Sequence, residues 1–255
     1  MPFLLSRLCL AGLLCISSGT ARAEKLLILG DDNYRPVIYL DEQKQPAGLL
    51  VDVLNNFQEE SGEQIQIKLY PWKRAFVSAE KGLGGVIGVS KTEARLQQFD
   101  YSAPIYDDNI NIVVLKGHEF AFNTLSDLSD RKIGVQLGAS YGSEVDAAIH
   151  SGSILAETDA NHFSRLKKLL YGRIDAAFVG NGRFGLQVLL ASDPQLAKHQ
   201  DDFVILEKPL VHDQLYLAFA KSMHQQDFLE RFNTVLLDYQ TEQKLLGLAD
   251  ANAQH

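Results

Sequence analysis

The chain has 255 residues, of which 46% are hydrophobic and 22% charged, and it carries a formal net charge of −8 at pH 7. This composition supports one large or two modest domains, and the acidic balance argues against nucleic acid as a partner, because nucleic acid binds to basic surfaces. Both cysteines, at positions 9 and 15, precede the predicted folded region, which therefore forms no disulfide and carries no thiol nucleophile.

The first 23 residues have the pattern of a secretory signal peptide. Arg7 supplies a positive charge, Leu8–Ile16 is a short apolar core, and the small residues 21 and 23 form an A-x-A cleavage site. The apolar core is too short to span a bilayer, so we expect no retained anchor. We therefore expect cleavage near Ala23 and a soluble, monomeric protein in the periplasm, with 22 basic and 32 acidic residues.

After this leader, strand-like apolar runs alternate with amphipathic helical runs. In the first half, the pattern predicts strands at Lys25–Gly30, Ile65–Tyr70 and Gly85–Val89, and helices at Leu49–Phe57 and Trp72–Lys81. This β-α-β-α-β order is typical of a parallel sheet covered by helices.

The pattern then starts afresh after a strand at Ile110–Leu115. We predict strands at Lys132–Gln136, Asp175–Val179, Phe203–Leu206 and Leu215–Phe219, and helices at Ser140–Ile149, Asn161–Tyr171, Gly182–Leu190 and around Phe228–Tyr239. Two similar α/β lobes fit this order, with lobe 1 formed by residues 24–113 and 217–255 and lobe 2 by residues 114–216. The two crossings between the lobes would lie near Asn111–Leu115 and His212–Leu217.

The stretch Gly88–Tyr106 carries the most specific polar pattern in the chain. Ser90 and Thr92 follow the third predicted strand, and Thr92 is a suitable N-cap for a short helix over Glu93–Phe99. Arg95 would then lie in the first turn of that helix, where free backbone N–H groups and a guanidinium together suit a carboxylate. The alternative is an arginine on a solvated helix face, paired with a neighbouring glutamate or with nothing.

Two aromatic side chains are predicted at the carboxyl ends of first-half strands: Tyr34 follows the first strand, and Trp72 follows the second. In α/β sheets ligands bind at these strand ends, so the pair could enclose the apolar body of a small ligand. Asp31, just before Tyr34, could hold a proton or a cation there. The alternative is a core tyrosine, a half-buried tryptophan and an aspartate that caps a turn.

The second half offers a small-residue loop between a strand and a helix. Ala139, Ser140 and Tyr141 lie in this loop, where a ligand could approach backbone amides, and Ser140 could cap the helix. Such a join between strand and helix is common, and it need not bind anything.

Catalytic and metal-binding patterns are poorly supported. The seven histidines are scattered without metal-ligand spacing, and the chain contains no G-x-S-x-G elbow, P-loop or HExxH motif. We therefore predict no catalytic residue, no metal site and no cofactor.

Together, these stretches resemble the extracellular solute-binding proteins of family 3, the polar amino-acid-binding components of bacterial ABC importers. The resemblance runs over nearly the whole mature chain, through D-x-x-Y-x-P at Asp31–Pro36, G-x-x-x-D at Gly48–Asp52, S-x-T-x-x-R at Ser90–Arg95 followed by YSAPIY, and the second-half segments DLSDRKIGVQLGAS and GRIDAAFV. It implies an α/β clamp of the type II-like periplasmic-binding-protein fold. Each lobe is then a mainly parallel sheet flanked by helices, and two hinge strands join the lobes.

The resemblance also implies roles for individual residues. Arg95 would grip the α-carboxylate of the ligand. The groups that support this grip would be Gly88, Ser90 and Thr92. Tyr34 and Trp72 would pack against the ligand side chain, and Ser140 would donate a hydrogen bond from lobe 2.

One departure from the family pattern concerns the ammonium group of the ligand. The family usually has an aspartate just after the G-R-I-D strand, but this chain has Gly180 there and the neutral Asn181 beside it. Losing one partner of a buried charge pair costs roughly 2–5 kcal/mol. We therefore expect that Asp31 or another acid substitutes, or that the ligand is not an ordinary α-amino acid.

We predict a periplasmic binding protein without enzymatic activity that captures a small carboxylate-bearing ligand and delivers it to an ABC permease. Closure would follow from a ligand that contacts both lobes. Two alternatives remain from the sequence: a dehydratase-like enzyme acting on a cyclic carboxylate, and a stand-alone sensor clamp that reports to a membrane receptor.

Overall fold

The computed structural model of the chain describes residues 25–253, so the predicted signal peptide lies outside the described residues. The strands are β1 (Leu26–Asp31), β2 (Asn33–Tyr34), β3 (Ile38–Leu40), β4 (Pro46–Ala47), β5 (Ile65–Tyr70), β6 (Gly85–Ser90), β7 (Phe99–Tyr101), β8 (Tyr106–Leu115), β9 (Lys132–Gln136), β10 (Leu155–Asp159), β11 (Ala176–Val179), β12 (Phe203–Ile205) and β13 (Val211–Ala220). The α-helices are α1 (Leu49–Ser61), α2 (Trp72–Glu80), α3 (Glu93–Leu96), α4 (Ser143–His150), α5 (His162–Leu170), α6 (Gly182–Ala191) and α7 (Gln226–Ala253). Short 3-10 helices occur at Leu125–Leu128, Leu196–Asp202 and Lys221–Met223.

The predicted two-lobed α/β fold is confirmed. In the first lobe β1 pairs in parallel with β5 and β6, and in the second lobe β9 pairs in parallel with β10 and β11. The long strands β8 and β13 join the two parallel groups through antiparallel pairs, in the order β10-β9-β11-β8-β13-β6-β1-β5. Each lobe therefore has its own parallel sheet, and the connection between the lobes is a two-stranded antiparallel ribbon.

This ribbon pairs residues 106–110 of β8 with residues 211–215 of β13. Beyond it, Asn111–Val113 pair with β11 of the second lobe, and Leu215–Ala218 pair with β6 of the first. The first crossing thus lies earlier than the predicted Asn111–Leu115. We propose a lobe boundary near Ile110 in place of residue 113.

Aromatic residues hold α1 and α7 together in the core of the first lobe. Phe57 contacts Phe228 and Phe232 edge to face, with ring centroids 5.1 and 5.4 Å apart, and all three side chains are buried. Each such burial stabilises the fold by about 1.5–3 kcal/mol. The second lobe buries a separate apolar cluster that includes Ile133 and Phe178. Most of the apolar core of each lobe is therefore separate from that of the other, with Ala139 contacting clusters of both.

The structure corrects one predicted helix start. α4 begins at Ser143 and has Gly142 as its N-cap without a side-chain cap, whereas Ser140 donates its hydroxyl hydrogen to Asp146. Ser140 therefore does not cap the helix and stays in the loop. Within residues 25–253, the helices all fall short of the length and apolarity that a membrane span needs.

Candidate ligand-binding site

A cavity of about 60 Å³ lies between the two lobes at the carboxyl ends of β1, β6 and β9. The predicted site residues that line it are Asp31, Tyr34, Trp72, Gly88, Ser90, Ala139, Ser140 and Tyr141. Local sequence patterns from distant parts of the chain thus converge on one space. Small-molecule sites usually enclose about 300–1,000 Å³. The described conformation is therefore tightly closed, and a clamp closed on a ligand of amino-acid size would hold the lobes somewhat farther apart than here.

Direct contacts between the lobes hold this closed conformation. The Trp72 indole Nε1 donates to the Gly138 carbonyl oxygen at 3.0 Å, and the Gln136 amide donates to Asp31 Oδ2 at 2.6 Å. The Tyr34 ring stacks on the His162 ring, with centroids 5.1 Å apart and planes 12° apart. Polar and aromatic side chains of one lobe thus already contact the other across the cleft.

Arg95 lies beside the cavity rather than on its lining. Thr92 caps α3, because its hydroxyl oxygen accepts from the Arg95 backbone N–H at 3.3 Å. The Arg95 guanidinium donates to the Ser90 carbonyl oxygen at 3.2 Å and lies 4.4 Å from the centroid of the Phe76 ring. It is only 9% exposed and forms no salt bridge with a carboxylate of the described residues. Burial lowers its pKa, and nearby acidic groups, among them Asp213, partly offset this.

Two aspartates that the sequence prediction missed face each other at the hinge. Asp108 of β8 and Asp213 of β13 are directly opposite in the antiparallel register, and both line the cavity. Like charges in this position repel each other, since the Cβ atoms of such a pair are about 4.5–5.5 Å apart. Burial raises the pKa of both carboxyls, that of Asp213 to about 6, and Asp108 contributes to the rise at Asp213.

The hydrogen bonds of the two hinge aspartates are all to neutral donors. Asp108 accepts from the Tyr34 hydroxyl at 2.6 Å and from the Asn181 backbone N–H at 2.5 Å, and Asp213 accepts from the Ser90 hydroxyl at 2.6 Å. Neither carboxylate forms a salt bridge with a lysine, arginine or histidine of residues 25–244. The hinge thus brings together two carboxyl groups that have no salt-bridge partner among these residues, and the compensating charge that acts on Asp213 is that of Arg95.

Asp108 also explains the glycine at position 180. A Cβ atom added at Gly180 would lie 2.6 and 2.9 Å from the carboxylate oxygens of Asp108 and would overlap the Tyr34 hydroxyl. The space that an aspartate at 180 would fill is therefore occupied by a carboxylate from the hinge strand. Asn181, at the start of α6, is not on the cavity lining. Its side chain accepts a hydrogen bond from Tyr106.

Asp31 ends β1 and is 5% exposed. Its Oδ1 accepts from the Asn33 backbone N–H at 2.9 Å, so it caps the turn as the alternative interpretation proposed. Its Oδ2 accepts from Gln136 across the cleft. Burial raises the pKa of Asp31 to about 6, and this carboxyl therefore titrates near neutral pH.

The second lobe contributes a fully buried guanidinium, Arg165 of α5, which the sequence prediction also missed. Arg165 lines the cavity together with His162 and Tyr141, and it is 1% exposed. Its Nη2 lies 2.7 Å from His162 Nδ1, and its Nη1 lies 3.5 Å from the Tyr141 hydroxyl oxygen. Burial and the adjacent guanidinium hold the pKa of His162 well below its usual value. His162 is therefore neutral and accepts from Arg165 at Nδ1.

Among the described residues, histidine, cysteine, aspartate and glutamate side chains form no group of three or more that could hold a metal ion. The cavity instead combines buried carboxylates, a buried guanidinium and aromatic rings. That set suits a small organic ion carrying charges of both signs.

Known proteins share this architecture. The chain is 23% identical over 227 residues to the L-cystine-binding protein TcyJ of Escherichia coli K12, and this covers 88% of the chain and 81% of TcyJ. The holo structure of the arginine-binding protein ArgBP from T. maritima superposes with a TM-score of 0.69 at 24% identity, over 85% of this chain and 90% of that one. A histidine kinase sensor domain similar to periplasmic binding proteins gives a TM-score of 0.75 at 18% identity, over 89% and 95% of the two chains.

The family comparison agrees with the fold. The family model for the bacterial extracellular solute-binding proteins, family 3, matches residues 26–251, which is almost the whole of the chain outside the predicted leader. The chain therefore belongs to the bacterial extracellular solute-binding proteins, family 3.

Proposed function

We propose that this protein binds an amino acid between its lobes in the periplasm and presents it, as a closed clamp, to the permease of an ABC importer. The observation that carries the proposal is the arrangement of charges at the cleft. The buried Asp108 and the half-buried Asp213 lie opposite each other at the hinge. Asp213 accepts from the Ser90 hydroxyl, and the buried guanidinium of Arg95 donates to the Ser90 carbonyl oxygen. An α-amino acid carries one charge of each sign on groups attached to the same carbon atom, which matches this arrangement.

The carboxylate of the ligand is assigned to Arg95. Its guanidinium is held in place by the Ser90 carbonyl oxygen and the Phe76 ring, and it has no carboxylate partner among residues 25–244. Hydrogen bonds to charged groups contribute about 1.5–3 kcal/mol each. The start of α3 is already exposed in this conformation at Glu93 and Ala94, and Thr92 lines an open cavity there. Gly88, Ser90 and Thr92 would then support the carboxylate next to Arg95.

The ammonium group of the ligand is assigned to the hinge aspartates. An ammonium between Asp108 and Asp213 would neutralise two carboxyls that otherwise repel each other across the strand register. This assignment answers the question that Gly180 raises, since Asp108 supplies a carboxylate at the same location from another strand. Asp31 does not need to take over the role, because it is bound to Gln136 and Asn33.

Closure of the clamp would follow from contacts that only the closed form makes. Tyr34 and Trp72 of the first lobe and the loop with Ala139, Ser140 and Tyr141 of the second lobe line the same cavity, and a ligand there would touch both lobes. A ligand shifts the equilibrium by the difference between its affinities for the open and closed forms. The closed conformation has hydrogen bonds directly between the lobes, so the open and closed forms should differ little in free energy.

The stand-alone sensor clamp is not favoured, because no feature of the described cavity distinguishes such a sensor from a transport protein. The dehydratase-like alternative is not favoured, because the family and the similar proteins are binding proteins.

A thermal-shift screen of the mature protein against amino acids, other organic acids and small amines tests the proposal. At least one α-amino acid should raise the melting temperature in a concentration-dependent way. A response only to compounds without a carboxylate, or only to compounds without an ammonium group, would contradict it.

A further inference from the structure

Arg165 has surroundings that a structural arginine rarely has. It is among the most deeply buried side chains of the described residues, yet it lines the cleft cavity. No aspartate or glutamate of residues 25–244 forms a salt bridge with it, and its Nε has no hydrogen-bond partner there. A buried charge without a counter-ion is strongly destabilising, because its desolvation is not offset.

The neighbouring histidine adds a second donor without an acceptor. Every nitrogen of a guanidinium that carries hydrogen is a donor, so His162 Nδ1 must accept from Arg165 and its proton must sit on Nε2. His162 Nε2 is buried and has no partner among the described residues. The pair therefore presents N–H groups that lack acceptors, and an anion is the chemical group that satisfies several such donors at once.

The position of Arg165 is fixed by packing. A Cβ atom at Gly134 would lie 2.8 Å from Arg165 Cγ, so the glycine in β9 leaves room for the arginine stem. The Tyr141 hydroxyl lies 3.5 Å from Nη1 and itself accepts from the Gln136 backbone N–H at 2.8 Å. The guanidinium is thus held at the cavity wall by the second lobe alone.

We propose that Arg165, together with His162, binds a second anionic group of the ligand, so that the natural ligand is an amino acid with two carboxylates. The inference rests on the proposed function, in which Arg95 binds the first carboxylate. The two guanidinium groups belong to different lobes, and a dicarboxylic ligand would bridge them. Asp31 faces Arg165 across the cleft, and the charge of Arg165 partly offsets the rise that burial causes in the Asp31 pKa, but the two side chains form no salt bridge.

The test compares ligands that differ by one carboxylate. Isothermal titration of the mature protein with aspartate against asparagine, glutamate against glutamine, and diaminopimelate against lysine measures what the distal carboxylate contributes. In at least one pair the dicarboxylic compound should bind at least tenfold more tightly, which is the usual effect of a hydrogen bond to a charged group. Both members of the last pair carry a second ammonium group. Its result therefore separates dicarboxylic ligands with two ammonium groups, such as diaminopimelate, from those with one, such as aspartate and glutamate.

Variants assign the effect to Arg165. In Arg165→Gln the preference for the dicarboxylic compound should fall to less than threefold, Arg165→Lys should retain part of it, and Arg183→Gln, an exposed arginine on α6, should leave it unchanged. A merely structural role of Arg165 would weaken both members of a pair equally and keep their ratio.

The outcomes separate the two proposals. If the wild-type protein binds both members of every ligand pair with equal affinity, the second anion site is overturned. The proposal that the protein binds an amino acid still stands in that case. A preserved ratio in Arg165→Gln overturns the role of Arg165. Absence of binding by any amino acid would overturn the proposed function as well.

Discussion

Replacing Gly180 by alanine should prevent the clamp from closing fully. The backbone at Gly180 does not have a positive φ, so alanine causes no backbone strain there. The new methyl group would lie 2.6 and 2.9 Å from the Asp108 carboxylate oxygens and would overlap the Tyr34 hydroxyl. Neither neighbour can retreat easily, since Asp108 is buried in the hinge strand and the Tyr34 ring is stacked on His162.

The expected loss of ligand affinity follows from the hydrogen bond that the methyl group would break. The Tyr34 hydroxyl donates to Asp108 at 2.6 Å, and a hydrogen bond to a charged group contributes about 1.5–3 kcal/mol. Its loss in the closed form would weaken ligand affinity by about 10- to 150-fold. Isothermal titration with the amino acid found in the screen measures this change, and small-angle X-ray scattering should show a larger radius of gyration for the liganded variant than for the liganded wild type.

Gly182→Ala is the matched control. Gly182 lies two residues away with φ +60°, and a methyl group there would have no heavy atom within 4 Å, so alanine strains the backbone without obstructing the cleft. Gly182→Ala should lower the melting temperature and leave the ligand affinity within about twofold of the wild-type value. An unchanged affinity and scattering curve for Gly180→Ala would refute the role of Asp108 and Tyr34 in closure.

Two further predictions concern Asp31 and Trp72. Because burial raises the pKa of Asp31 from 3.8 to about 6, the folded chain binds this proton more tightly than the unfolded chain, and the carboxyl lowers stability as pH rises from about 4 to 6, by at most about 3 kcal/mol. Asp31→Asn should therefore raise the free energy of unfolding in urea more at pH 7 than at pH 4. The exposed control Asp201→Asn should have the same effect at both pH values. An equal effect of Asp31→Asn at both pH values would contradict the reasoning. Trp72→Phe removes the hydrogen bond from the indole to the Gly138 carbonyl oxygen, which contributes about 0.5–1.5 kcal/mol. This substitution should weaken ligand binding about twofold to tenfold in isothermal titration. An unchanged affinity would show that this bond is absent from the liganded form.

Local sequence patterns predicted the parts of the site that lie at strand ends. Thr92 and Arg95 form the expected cap and first turn of α3, and the loop with Ser140 follows β9 as expected, because both features depend on residues close in sequence. The family resemblance then led to the expectation that Asp31 or another acid replaces the one missing at Gly180, or that the ligand is not an ordinary α-amino acid.

The residues that the sequence prediction missed depend on pairing over long distances. Asp108 and Asp213 are separated by about a hundred residues and become neighbours only through the register of β8 with β13, which no local pattern specifies. The start of β8 was not recognised as a strand, since Tyr106–Asn109 are polar. Arg165 has the spacing of a polar residue on an amphipathic helix, and its burial follows only from the packing of α5 against β9.

Trp72 is the only tryptophan of the chain and lies at the cleft, so its fluorescence reports ligand binding directly. The most direct test of the central claim is a fluorescence titration of the wild type, Arg95→Ala and the exposed control Arg183→Ala with the amino acid found in the screen. We predict a saturable change in Trp72 emission for the wild type and Arg183→Ala, and an affinity at least tenfold weaker for Arg95→Ala. Equal affinities for all three proteins would contradict the assignment of Arg95 to the ligand carboxylate.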